Sequence, residues 1–245
     1  MTLISIAITS DPVCPWCYIG YRRLTKAIHL YQRTYPGGSH DDIRITWKPY
    51  ILDHDAPMQS ISYLDRRTQK LGPEKVATSQ AHLQRLGILD GIQFRFGGRI
   101  GSTLRAHQVI LLCERYDVEE GTDYTTAVVE GLFRAHFEEE RDITDVETLV
   151  KIVEEIVMMG VGLDEGRVRS WLETGQGVGE IEEMAGRARS EGIHGVPWFR
   201  IGGENAKEET AVALNGAQDV GEFLQALIRC EGARSVVSGG RGEVC

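Results

Sequence analysis

Ile4, Ile6 and Ile8 alternate with Leu3, Ser5 and Ala7 at the start of the chain, the period of two that predicts a strand with one strongly apolar face. The alternation stops at Ser10-Asp11-Pro12. From Trp16 the spacing lengthens, and Leu24, Ala27, Ile28, Tyr31 and Tyr35 follow the step of a helix that Pro36-Gly37-Gly38 closes. Ile43, Ile45 and Trp47, set against Arg44, Thr46 and Lys48, predict a second strand. A β-α-β opening with a crossover of this length predicts that the two strands are parallel.

Beyond about residue 58 the pattern is helical for more than a hundred residues. Apolar stripes run through Ala106, Val109, Ile110 and Cys113, then Val128, Gly131, Leu132 and Ala135, then Val146, Leu149, Val150, Val153 and Val157. Thr144-x-x-Glu147 reads as the capping box of the third stripe. A further helix is expected over about 177–191, with Val178, Ile181 and Ala185 inward and Gly192 just past its end. "GVPWFRIGG" and "TAVALNGA" then flank a polar turn, as in a hairpin, and Asp219-x-x-Glu222 opens a last helix with Val220, Phe223, Leu224 and Leu227 inward. Residues 231–245 read as a loose Gly/Ser tail.

With 245 residues, 42% of them hydrophobic, the chain can bury a sizeable core. Its net charge of −9 is spread along the sequence without a basic cluster interleaved with aromatics, which argues against a nucleic-acid partner. No run of 18 apolar residues occurs, so no membrane-spanning helix is expected, and "MTLISIAITSDP" lacks the pattern of a signal peptide. A cytoplasmic location is the expectation.

The five cysteines are odd in number and scattered, unlike a disulfide framework. Cys14 and Cys17 are the exception, in "TSDPVCPWCYIGYRRL" at the junction of the first strand and helix. A zinc site would need two further ligands at matching spacing, and no second CxxC or HxxxH exists, so no metal is expected. A cysteine at the first turn of a helix faces unpaired backbone N–H groups and the positive end of the helix dipole, which favour a thiolate. Cys14 is therefore the candidate nucleophile. Pro15 suits the first helical position, and Cys17, three residues on, shares the face of Cys14 and can close a disulfide with it. One thiol attacks and the other resolves the mixed disulfide.

"CPWC" after a strand, with "GIHGVPWF" roughly 180 residues later, resembles the DsbA family of thioredoxin-like proteins with an inserted helical domain. "DPVCPWCYIGYRRL", "STLRAH" and "FRAHFEEERDI" resemble more narrowly its FrnE-like branch, cytosolic members often associated with polyketide metabolism. The resemblance implies an α/β fold in which residues 1–58 and 193–230 form a discontinuous thioredoxin-like domain around a helical insertion, 59–192. It implies a cis Val196-Pro197 bond beside the cysteines, with the Val196 backbone pairing with an extended substrate, either a peptide or glutathione. The implied activity is thiol–disulfide exchange on a disulfide-containing protein or a small thiol or polyketide-type substrate, with no tightly bound cofactor, glutathione as a co-substrate, and a homodimer as one assembly. A glutathione-dependent isomerase or transferase of the 2-hydroxychromene-2-carboxylate isomerase or kappa class is the alternative. Those proteins have serine where Cys14 and Cys17 stand, and Gly-Ser-Asp where this chain has Gly216-Ala217-Gln218.

Other residues carry two readings each. Trp16 either tunes the redox pair and touches substrate or only fills the cleft. Thr103 and His107 match the branch pattern and either line the cleft or, for His107, form a hydrogen-bonded core position. His194, three residues before Pro197, is a candidate cation or proton shuttle for Cys14. Cys113 reads as a small buried hydrophobe, and Cys230 and Cys245 as incidental surface thiols.

Overall fold

The computed structural model describes residues 3–157, 163–203 and 211–238, with 231–238 described by backbone alone. β1 (Leu3–Ser10) leads through α1 (Pro15–Thr34) to β2 (Asp42–Pro49), and β5 (Trp198–Gly203) and β6 (Val212–Asn215) return to the same sheet near the end of the chain. The sheet order is β2-β1-β5-β6, with β1 and β2 parallel and the other two pairings antiparallel. The register sets Ile6 opposite Ile201 and Ile8 opposite Phe199, so the apolar sides of the two central strands coincide. That face is fully buried. Leu24, Ala27 and Tyr31 of α1 and Phe223, Ala226 and Leu227 of α9 (Val220–Ser238) belong to the same core, and Phe223 meets Phe199 edge to face at 4.7 Å.

Between β2 and β5 the chain forms α2 (Tyr63–Leu71), α3 (Pro73–Asp90), α4 (Leu104–Glu120), α5 (Thr125–Phe137), α6 (Val146–Val157), α7 (Glu165–Glu173) and α8 (Val178–Ser190). A two-stranded ribbon of β3 (Ile61–Ser62) and β4 (Arg99–Ile100) lies within this block, which the sequence pattern reads as helical alone. Two residues per strand are too few to show alternation. α8 ends as predicted: Gly192 has φ +89°, and the Ile193 N–H donates to the Ala188 carbonyl at 3.0 Å.

Three local readings are corrected. The cap of α6 is Asp145, whose carboxylate accepts from the Thr148 N–H at 2.9 Å, while the Thr144 hydroxyl donates to Asp142. Glu147 instead pairs with Arg169. α9 continues through 231–238, where a loose tail was expected; residues 239–245, with Cys245, lie outside the described residues. Cys230 is thereby on a packed helix and is buried, its thiol donating to the Ile201 carbonyl at 3.2 Å, so it is no surface thiol. Cys113 is fully buried, as its apolar helical face implies.

α1 is fastened to the helical block over its first three turns. Tyr18 stacks on Phe133 at 5.1 Å and donates to Glu138 at 2.7 Å, Arg22 and Tyr21 both reach Glu130, and Arg23 and Lys26 both reach the buried carboxylate of Asp90. These contacts fix the helix that carries the cysteine pair.

Candidate active site

Cys14 is the N-cap of α1 and Pro15 its first residue. The Cys14 N–H donates to the Asp11 carbonyl at 2.9 Å, and the Cys14 carbonyl accepts from the N–H groups of Cys17 and Tyr18. No acidic side chain stands in the first turn, so the positive end of the helix is uncompensated beside the sulfur. Both cysteines are free thiols. Cys14 is 4% exposed and Cys17 only 1%, so attack from outside reaches Cys14 first. Burial pushes the Cys17 thiol well above its ordinary value, and the adjacent Cys14 pushes it the same way.

The Cys14 thiol donates to the Val196 carbonyl at 3.6 Å, and the Val196-Pro197 bond is cis. Behind this contact α1 presents Gly20, and a Cβ there would lie 3.0 Å from Phe199 and 3.1 Å from the Pro197 ring. Glycine lets helix and proline turn approach this closely. At the mouth, Trp16 is 39% exposed and sits 6.0 Å from the ring of His82 on α3, giving an aromatic rim shared with the helical block.

A polar layer lies beneath the pair. Asp11 is fully buried; its carboxyl accepts from the N–H groups of Val13 and Leu52, yet burial outweighs these bonds and raises it to about 7. The Thr103 and Ser10 hydroxyls are buried beside Asp11 and Cys17, neither in a hydrogen bond of full geometry. His107 is buried, its Nε2 3.1 Å from the Tyr50 carbonyl, and burial lowers it to about 4, so the ring is neutral near pH 7. Ser10, His107 and Glu114 line a small, partly open pocket of about 10 Å³, the space of roughly one water.

A dithiol at a helix N-terminus, its outer sulfur against an X-Pro carbonyl, is the arrangement of a thioredoxin-like redox centre, and residues 5–228 match the DSBA-like thioredoxin domain. The chain belongs to that family. YwbO of Bacillus subtilis, described as uncharacterized, is 27% identical over 203 residues, 81% of this chain and 87% of that protein. Among solved structures, the probable DsbA oxidoreductase SCO1869 of Streptomyces coelicolor superposes with a TM-score of 0.75 at 25% identity, covering 99% of this chain and 93% of that one. The cytosolic disulfide reductase DsbM of Pseudomonas aeruginosa, solved with GSH, shares the fold at a TM-score of 0.56 and 16% identity over 96% of this chain and 99% of that one. A 2-hydroxychromene-2-carboxylate isomerase does so at 0.59 and 17%, over 98% and 100%.

In this DSBA-like chain the structure brings together Cys14, Pro15, Trp16, Cys17, Val196 and Pro197. It does not bring in His194, which is exposed on its loop and makes no hydrogen bond to either cysteine among the described residues. Thr103 stands buried at the N-cap position of α4 without a side-chain capping bond, and His107 is a core histidine rather than a residue of the open cleft, because α4 is buried on nearly all sides over its first half. Sequence reasoning missed Ser10, Asp11 and Gly20. "SDP" before a helix looks like an ordinary turn, and only the path of residues 50–52 over it buries the carboxyl. Among the described residues no group of His, Cys, Asp and Glu could hold a metal, and no helix is long and apolar enough to cross a membrane.

Proposed function

We propose that the protein is a cytosolic thiol–disulfide oxidoreductase that acts through Cys14 and Cys17. The observation that carries this reading is the pair of free thiols at the start of α1, both buried but Cys14 the less so, with the Cys14 sulfur against the Val196 carbonyl. The Cys14 thiolate attacks a substrate disulfide, forming a Cys14 mixed disulfide and releasing one substrate thiolate. Cys17, as thiolate, then attacks the Cys14 sulfur, and the second substrate thiolate leaves as the Cys14–Cys17 disulfide closes. Two electrons pass from the dithiol to the substrate, and two external thiols, such as two molecules of glutathione, restore it. The Val196-Pro197 turn holds the substrate backbone and Trp16 gives it an apolar contact at the rim. In a reducing compartment, reduction or isomerisation is the favoured direction.

The isomerase or transferase reading draws support from the shared fold, but it needs a hydroxyl to hold a glutathione thiolate where this chain supplies Cys14 and Cys17. Cys14→Ser separates the two. In a glutathione-coupled assay of a small-molecule disulfide, the variant is expected to lose reductase activity; retention of full activity would overturn the proposal.

A further inference from the structure

The turn that joins β1 to α1, closed by the Cys14 N–H on the Asp11 carbonyl at 2.9 Å, sets the Ser10 hydroxyl and the Asp11 backbone N–H beside Cys17. Ser10 is held firmly by its backbone. It pairs with Pro49 at the end of the β1–β2 ladder, and its carbonyl accepts from the Tyr50 N–H at 3.0 Å. Its side chain is buried, and the hydroxyl makes no hydrogen bond of full geometry. A buried hydroxyl without a partner is a standing cost unless some state of the protein uses it. A thiol sulfur is a weak acceptor, whereas a thiolate accepts a charge-assisted bond. Burial resists loss of the Cys17 proton, while Ser10 and the Asp11 N–H favour it.

We propose that Ser10 is a positioning residue for the resolving step, its hydroxyl turning to the Cys17 sulfur as the thiolate forms and holding it for attack on the Cys14 mixed disulfide. This rests on the oxidoreductase reading of the pair. Ser10 does not touch substrate, so the first step, attack by Cys14, is independent of it. A hydroxyl has one proton and two lone pairs, so donation to sulfur leaves its acceptor sites for the small pocket that Ser10 also lines. In the step concerned the Cys17 sulfur bonds to the Cys14 sulfur, the bond from Cys14 to glutathione breaks, glutathione leaves as a thiolate, and the Cys17 proton passes to solvent.

The test treats reduced protein with glutathione disulfide, quenches with acid at intervals, and follows the Cys14–glutathione adduct and the Cys14–Cys17 disulfide by mass. In Ser10→Ala the adduct is expected to form at the wild-type rate and to resolve roughly tenfold to a hundredfold more slowly, the loss of one hydrogen bond to a charged group. Ser10→Thr, which keeps the hydroxyl, is expected to restore resolution. Thermal unfolding of both variants checks that the fold is intact, and a general loss of structure would slow both steps together. Resolution at the wild-type rate in Ser10→Ala, or equal slowing in Ser10→Thr with the fold intact, would overturn the role of Ser10. Wild-type protein that never closes the Cys14–Cys17 disulfide would instead overturn the oxidoreductase reading.

Discussion

Replacing Gly20 by alanine sets two effects of opposite sign against each other. Alanine in a helix interior is favoured over glycine by about 1 kcal/mol. At Gly20, however, the new Cβ would stand 3.0 and 3.3 Å from two atoms of the Phe199 ring and 3.1 Å from the Pro197 ring, inside ordinary van der Waals contact. Neither neighbour is the end of a flexible chain: Phe199 is fully buried against Phe223, and Pro197 is a buried ring. Overpacking of this kind costs about 1–3 kcal/mol, so the net expectation is a loss of roughly 1 kcal/mol and at most about 2. Relief requires α1 to move away from the proline turn, which lengthens the 3.6 Å contact between the Cys14 sulfur and the Val196 carbonyl. Urea unfolding should show a lower midpoint at an unchanged slope. Gly186→Ala is the control. That glycine is exposed within α8 with nothing near its Cβ position, and the substitution should stabilise by up to about 1 kcal/mol. If Gly20→Ala stabilised the protein as much as Gly186→Ala, the close approach of helix and proline turn would be refuted.

Other outcomes follow from the same site. Cys17→Ser should leave Cys14 able to attack but unable to be released, so a stable glutathione adduct on Cys14 accumulates in intact mass, whereas Cys14→Ser should form none. Asp11 is raised by burial to about 7 from an ordinary 3.8, so the folded protein holds this proton more tightly than the unfolded chain. The stability it contributes is full below about pH 4 and is lost as pH rises through about 7, by up to about 4 kcal/mol. Comparing chemical denaturation of wild type and Asp11→Asn from pH 4 to 8 should show wild type losing ground steadily; a constant difference would contradict it. Tyr18→Phe removes the hydroxyl that donates to Glu138 at 2.7 Å while keeping the stack on Phe133, and should lower stability by about 1–2 kcal/mol in urea with the same slope.

Much of the fold was legible because the sheet is buried on one face. Ile4, Ile6 and Ile8 advertise their strand since each alternate position is sealed against α1 and α9, and the CPWC motif marks the junction that the structure confirms as the start of a helix. Legibility failed where tertiary neighbours decide. α4 carries His107 and Gln108 into the interior because the Tyr50 and Gln176 carbonyls accept from them, partners supplied by segments 57 and 68 residues away. Three candidate caps within 142–145 make the start of α6 ambiguous until hydrogen bonds distinguish Asp142, which serves Ser60 and Thr144, from Asp145, which serves the helix. Ser10, Asp11 and Gly20 bear on the site through what packs over them, and a local pattern carries no sign of that.

The pairing of Cys14 with Cys17 as one redox centre is tested most directly by equilibrating the purified protein in glutathione buffers of graded potential, then trapping free thiols and locating every disulfide by peptide mass. A single two-electron transition is predicted, in which Cys14 and Cys17 leave the thiol pool together and appear as one internal disulfide. Cys113 and Cys230, both buried, should remain thiols throughout. A glutathione adduct on Cys14 that persists across the series, with Cys17 still a thiol, would contradict it.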